Sequence, residues 1–278
     1  MILIAESGST NTDWVAYNGQ VYRFTSSGIN PLFLDAEELK IDLNTHFPAQ
    51  LKVDEVQNIY FYGPGCSSAE RCNKVSSCLS MVFSNAKIEA HSDLLAAARA
   101  LFSEQKGIAC ILGTGANSGI FDGQQFSYQI PSTGFILGDE GSGAHIGLSV
   151  LKLYLKQQLP PILHESFKAF IGLTITEIID RVYRQAYPNR FLASISPWIF
   201  ENRNEPMVQE ILMSSFDTFF KYYVLPYKHE QDLPIGMVGS VAHFFAEEIK
   251  ASADKYQLKI EKIIQKPIEQ LAKFHINF

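Results

Sequence analysis

The chain has 278 residues, 46% apolar and 19% charged, enough to bury one large core or two ordinary ones. Its net charge of −6 argues against nucleic-acid or membrane-surface partners, both of which reward positive patches. No apolar run approaches membrane-spanning length, and MILIAESG reads as a strand rather than a leader, so a cytoplasmic protein is expected. Cys66, Cys72 and Cys78 recur every six residues, with Cys110 apart. That is neither a zinc spacing nor a secreted disulfide framework, and packing roles are expected for all four.

In chain order, residues 2–5 form a buried-strand pattern that runs into the polar turn ESGSTNT. Residues 14–17 and 20–24 read as strands joined by Asn18-Gly19, a type I′ hairpin signal. Residues 35–47 read as a helix with Asp35 as its N-cap. A strand at 56–62, a helix at 67–83, a strand at 86–90 and an Ala-rich helix at 94–102 follow. Residues 108–112 form another strand, leading into the turn GTGANS at 113–118. Strands at 119–121 and 125–128 are joined by Asp122-Gly123, a second type I′ signal. Helical spacing of apolar residues then runs through 148–158, 161–170, 174–187, 191–201 and 206–224. A strand at 233–238, Gly239-Ser240, a helix at 241–253, a strand at 258–260 and a helix at 267–274 close the chain. Trp14 and Trp198 read as core residues.

The stretches IAESGSTNTDWVAYNGQVYRF and CILGTGANSGIFDGQQFSY share one plan: strand, Gly/Ser/Thr/Asn turn, strand, Asn/Asp-Gly, strand. This internal repeat predicts two α/β domains of related topology. Their limits are placed at 1–106, with the terminal helix of 265–278 packed back on it, and 107–264, with a helical insertion at about 148–230.

The turns carry the chemistry. Gly8 lets backbone approach an anion closely, while Ser9, Thr10 and Asn11 supply donors. Glu6, at the strand end, is placed to hold a hydrated magnesium ion. By itself this turn is equally a plain polar hairpin, and Gly113, Thr114 and Gly115 repeat its physics without an acid. Gly239-Ser240 opens a helix after an apolar strand, as an anion site or as close packing. Neither a Walker A loop nor a GxGxxG fingerprint occurs. Asp93 begins a helix, as N-cap in competition with Ser92 or as general base. Asn30 precedes a proline and either holds a sugar hydroxyl or closes a turn. In GFILGDEGSG, at 134–143, an apolar run read as a strand end meets Asp139 and Glu140. These acids are expected beside the free N–H groups of a helix start, with one of them as its cap.

Taken together, these turns resemble the acetate- and sugar-kinase/heat-shock-cognate/actin superfamily. More narrowly the chain resembles the N-acetylglucosamine kinase family, which also includes ATPase activators of acyl-CoA dehydratases and reductases. ESGSTNTDW is similar to the first phosphate motif, GTGANS to the second and GMVGSVAHFF to the adenosine motif. GFILGDEGSGAHIG is the most family-specific match.

The resemblance covers essentially the whole chain. It implies two RNase-H-like, actin-like domains, with ATP and magnesium in the cleft between them. It further implies phosphoryl transfer to an amino sugar such as N-acetylglucosamine at O6. In it Asp93 matches the base; Asn30, Asn117, Thr133, Gly134 and Asp139 match sugar-holding positions. Gly8, Ser9, Thr10, Asn11, Gly113, Thr114 and Gly115 match phosphate turns, and Gly239 and Ser240 the adenosine site. A small-molecule sugar is thus the expected partner, and a homodimer is left open. The chain departs from the family at Glu6, usually Asp, at Asn11, often Lys, and at Thr133, often aromatic. An ATPase of the activator type and a non-catalytic sugar or nucleotide sensor are the alternatives.

Overall fold

The motif that repeats in the sequence repeats in three dimensions. In the computed structural model, which describes residues 1–230 and 232–276, the described strands form two five-stranded sheets of the same topology. The first contains β1 (Ile2–Ser7), β2 (Asn11–Tyr17) and β3 (Val21–Ser27) as an antiparallel meander. Strands β4 (Asn58–Gly63) and β5 (Lys87–Ser92) extend it in parallel, in the order β3-β2-β1-β4-β5. The second repeats this with β6 (Gly107–Leu112), β7 (Ala116–Phe121) and β8 (Phe126–Gln129), then β9 (Ile235–Val238) and β10 (Ile260–Ile264), in the order β8-β7-β6-β9-β10. Parallel neighbours need crossovers, and helices provide them. The chain divides into two compact units, one of Met1–Gln105, Gly123–Gln125 and the segment from Lys266, the other of Lys106–Asp122 and Phe126–Gln265.

In the first unit, helices α1 (Ala36–His46) and α2 (Ala69–Ser80) pack Leu39, Leu43, Val75 and Leu79 on a sheet face built from Leu3, Ala5, Trp14 and Phe61. Asp35 caps α1, accepting from Glu37 and Glu38 N–H, as its position predicts. Buried Trp14 stacks on Phe24 with ring centroids 5.5 Å apart, and its indole N–H bonds Ser26 Oγ at 2.9 Å. Helix α3 (Asp93–Phe102) buries Ala96, Ala97, Ala98 and Ala100.

Between β8 and β9 the second unit holds α4 (Gly134–Leu137), α5 (Gly143–Leu155), α6 (Pro161–Ile171), α7 (Ile175–Tyr183), α8 (Pro188–Ala193), α9 (Ser196–Glu201) and α10 (Pro206–Phe219). Helices α11 (Ser240–Phe244) and α12 (Ala246–Asp254) join β9 to β10. The helix α13 (Ile268–His275) belongs to the first unit and packs on α3, β1 and β2.

Several local expectations give way to tertiary constraints. Neither Asn18-Gly19 nor Asp122-Gly123 forms a type I′ turn: only the glycines take positive φ, +104° and +106°. Pairing of Tyr17 with Val21 and of Phe121 with Phe126 fixes longer loops instead. The helix expected over 174–187 stops at Tyr183, and Tyr187, ahead of Pro188, sits at φ 58°. Residues 191–201 divide between α8 and α9, and residues 241–253 break at Phe245 between α11 and α12. The run Phe135-Ile136-Leu137 is a helical turn, not a strand end. It leaves Ile136 and Leu137 exposed. No described helix is long and apolar enough to cross a membrane.

Helix α13 is fastened to the first sheet at several points. Arg23 grips Glu269 bidentately (2.6 and 2.8 Å), and Lys266 Nζ lies 2.7 Å from Asp13 Oδ2. His275 stacks on Tyr60 with centroids 3.8 Å apart, and its Nε2 is 2.7 Å from Tyr62 Oη. Exposed ion pairs contribute about 0–1 kcal/mol each. Burial of Ile268 and Leu271, about 1.5–3 kcal/mol apiece, therefore provides most of the docking energy, and the ion pairs set the register.

Burial pushes His275 down to about 4, helped by Arg99 and His91. A base depressed in the fold contributes stability above its unfolded value of 6.5 and loses it as pH falls toward 4. Glu6 and Asp93, both raised by burial, act in the opposite sense over this range, so the test is a difference: between pH 4 and 7 the melting temperature of wild type relative to His275→Gln should rise with pH. In the second unit, a Cβ on Gly147 of α5 would lie 2.0 Å from the Leu192 carbonyl oxygen in α8. Alanine gains about 1 kcal/mol of helix propensity, but overpacking against rigid backbone costs about 1–3 kcal/mol. Gly147→Ala should therefore lower the denaturation midpoint.

Candidate active site

Strand β1 delivers the first turn, and its register with β2 sets Glu6 opposite Asp13 and Ser7 opposite Thr12. Ser7 and Thr12 are buried and hold the turn from below. Ser7 Oγ accepts from Thr12 Oγ1 (3.0 Å) and Ile29 N–H (2.8 Å), and donates to the Ile29 carbonyl (3.1 Å). Gly8 N–H donates to the Asn11 carbonyl at 2.8 Å, which closes the turn on itself. Gly28 N–H donates to Thr10 C=O at 2.8 Å; a Cβ there would lie 2.9 Å from the Gly8 carbonyl oxygen. Gly28 is thus a packing glycine beneath the candidate phosphate loop. Ser9 is half-buried, while Thr10 and Asn11 are exposed.

Glu6 lies among acids. Burial, then Asp13, then Asp93 raise its carboxyl to about 7, with Lys266 opposing them. Like charges facing each other across a strand pair are unfavourable, and Lys266 offsets the clash through Asp13. Hard oxygen donors with surplus negative charge suit magnesium, which keeps several waters and needs only one or two carboxylates. Among the described residues no group of three or more His, Cys, Asp or Glu has ligating geometry.

Asp93 opens α3, but Ser92 is the cap, accepting from Leu95 N–H at 3.2 Å. The Asp93 carboxylate instead accepts from Leu94 N–H at 2.8 Å. It is half-buried, and desolvation raises its pKa. Asn30 closes a turn: its Oδ1 accepts from Leu32 N–H at 3.0 Å and sits 2.8 Å from where a Gly65 Cβ would be.

The second turn is built differently. Gly113 N–H donates to Gly115 C=O at 3.0 Å, and a Cβ on Gly113 would meet nothing within 4 Å. The α5 start lacks the free N–H groups expected of it. Gly143 N–H donates to Gly113 C=O (2.8 Å), Ala144 N–H to Thr114 C=O (3.2 Å) and His145 N–H to Ser142 Oγ (3.2 Å). Ser142 is the cap, not Asp139 or Glu140. Asp139, buried at φ 61°, turns the other way: its carboxylate accepts from Ala116 N–H at 3.1 Å and packs against Gly115. The turn and the acidic loop therefore hold each other.

Asn117 follows on β7, its Oδ1 accepting from Ser118 N–H (2.9 Å) and Gln129 Nε2 (3.2 Å). Thr133 and Gly134 are exposed at the start of α4, with Gly134 at φ 75° and open space where a Cβ would be. Gly239, at φ 127°, passes so close to β6 that a Cβ would lie 2.2 Å from the Leu112 carbonyl oxygen. It sets Ser240 at the first position of α11, beside the second turn.

Sequence reasoning named the loops but missed their supports. Ser7, Thr12, Asp13 and Lys266 are ordinary polar residues until strand register and α13 bring them to Glu6. Tyr223, 84 positions from Asp139, accepts its N–H at 3.0 Å. Only the Thr-Asp following the first turn hinted at any of them.

Two copies of this sheet, each with a glycine-bearing turn after its first strand, define a protein of the actin-like sugar-kinase ATPase fold. A candidate N-acetylglucosamine kinase from Porphyromonas gingivalis is 41% identical with a TM-score of 0.93, over 100% of this chain and 99% of that one. The chain belongs to the N-acetylglucosamine kinase family. A candidate N-acetylglucosamine kinase from Chromobacterium violaceum shares the fold at 14% identity (TM-score 0.74, 98% of each chain). A ROK hexokinase from Thermus thermophilus does so at 11% (TM-score 0.55, 98% of this chain and 97% of that one). No protein-family model matches the chain, and no curated protein matches it.

The buried hydroxyl under the first turn yields a direct expectation. Ser7→Ala orphans the buried Ile29 N–H at a cost of about 1–3 kcal/mol. Chemical denaturation should show a loss of that size, whereas Ser9→Ala, at the half-buried turn itself, should change stability by less than about 0.5 kcal/mol.

Proposed function

We propose that this protein transfers the γ-phosphoryl group of ATP to a hydroxyl of an amino sugar, N-acetylglucosamine at O6 being the leading candidate. The observation that carries the proposal is Asp93. Because Ser92 caps the helix, the Asp93 carboxylate is left for chemistry, half-buried and with its pKa raised by desolvation. A base of this kind accepts the proton of the sugar hydroxyl as that oxygen attacks phosphorus.

The turn glycines fit phosphates. Gly113 has open space where a side chain would be, and at Gly8 the nearest atom is 3.5 Å away, so an anion can reach the backbone. Gly8, Ser9, Thr10 and Asn11 would contact phosphate from one turn, and Gly113, Thr114 and Gly115 from the other. Glu6 would hold the hydrated magnesium ion; when bound, the ion supplies charge neutralisation at the transferring group. Asn30, Asn117, Thr133, Gly134 and Asp139 would hold the sugar, and Gly239 and Ser240 the adenosine.

Family membership supports the sugar-kinase reading, since the Porphyromonas gingivalis relative is a candidate N-acetylglucosamine kinase. The activator alternative draws no support from the thiols: Cys66, Cys78 and Cys110 are buried.

Asp93→Asn should fold and bind ATP within twofold of wild type. It should lower N-acetylglucosamine-dependent ADP release by at least about 10²-fold. Full activity in that variant refutes the base assignment. Tight ligand binding by wild type with no turnover on any hexosamine favours the sensor reading instead.

A further inference from the structure

We infer that Tyr223, in the helical insertion and outside the proposed sugar contacts, is a positioning residue for Asp139. The inference rests on the amino-sugar kinase reading for its kinetic consequence, but not for its structural one.

The geometry comes from a local irregularity. Helix α10 ends at Phe219 and the chain continues through a widened π-helical turn, Phe220–Val224. Such turns rotate the following side chains relative to a regular helix and occur often at functional sites. Here the turn brings the Tyr223 hydroxyl to the acidic loop. Tyr223 Oη accepts the Asp139 N–H at 3.0 Å.

The ring and backbone of Tyr223 are themselves fixed. The ring stacks on Phe219 with centroids 5.4 Å apart and planes 14° apart. Ser118 Oγ donates to the Tyr223 carbonyl at 2.6 Å, one residue from Asn117. Phe219 in turn fills the space beside Gly141, where a Cβ would lie 2.8 Å from Phe219 Cβ. Gly141 at φ 79° and Asp139 at φ 61° both sit in the left-handed region, and an aspartate stays there only when its surroundings hold it. Tyr223 holds the N–H side of Asp139, while Ala116 N–H holds the carboxylate. Without the hydroxyl, the Asp139 N–H loses that acceptor and the carboxylate is aimed by Ala116 N–H alone on its other side. A sugar hydroxyl would register the change directly; the second phosphate turn, braced by the Asp139 carboxylate through Ala116 N–H, would register it less, through that one bond.

Tyr223→Phe in the full-length protein removes the hydroxyl and keeps the stacked ring. The readouts are the melting temperature, amide hydrogen exchange across residues 134–143, and separate KM values for N-acetylglucosamine and ATP. The expected result is a melting temperature within a few degrees of wild type and faster exchange at Asp139. The KM for the sugar should rise about three- to tenfold, the size of one hydrogen bond, with a smaller rise in the KM for ATP. Ser118→Ala, which loosens Tyr223 from its backbone side, is the second variant and should move the same quantities in the same direction.

Wild-type exchange and wild-type sugar KM in both variants overturn the inference. An equal rise in both KM values also overturns it, because that reports general loosening. If wild type phosphorylates no hexosamine, the kinase reading falls and exchange alone decides. Faster exchange at Asp139 then upholds the positioning role, and unchanged exchange rejects it.

Discussion

The second unit is organised by a reciprocal exchange of hydrogen bonds. Carbonyls of Gly113 and Thr114 take the first N–H groups of α5, while the Asp139 carboxylate takes the N–H of Ala116 just beyond the same turn. A glycine-rich turn standing alone has large conformational freedom, and a helix start standing alone has unsatisfied donors. Each cancels the other's deficit, and the chain between them has to follow. Asp139 and Gly141 enter left-handed conformations, Ser142 becomes the cap, and the insertion packs Phe219 and Tyr223 over the result.

The first unit solves the same problem without a helix start. Its turn is underpinned by hydroxyls, Ser7 and Thr12, and by the close passage of Gly28. Here the charge is concentrated instead. Glu6, Asp13 and Asp93 influence one another, and the cation that offsets them, Lys266, arrives from the far end of the chain with α13. Two units of one topology thus differ: the first gathers acids and a lysine about its turn, and the second ties its turn to a helix start.

That division bears on the departures in the first phosphate motif. The longer side chain of Glu6 and the missing lysine at Asn11 change the charge near the turn. Lys266 supplies a positive charge to the same neighbourhood from a different element. The site's electrostatics therefore depend on how α13 docks, and that docking rests on Ile268, Leu271 and the Arg23–Glu269 pair as much as on any residue near Glu6.

The sequence by itself determined what local chemistry can determine: the duplicated strand–turn–hairpin plan, the buried strands, the Asp35 cap, the core tryptophans and the identity of the glycine turns and acids. Period and turn composition carry that information directly. It misjudged the type of the two Asn/Asp-Gly turns, because strand register overrides propensity, and it took the helical 135–137 run for a strand end. It was silent on Tyr223, Ser7, Asp13 and Lys266. Polar residues acquire roles only from what faces them, and contacts that span 84 residues or the length of the chain are set by packing, not by neighbours in sequence. Which N–H groups of α5 remained free was likewise a tertiary decision, because their acceptors lie on a turn some thirty residues upstream.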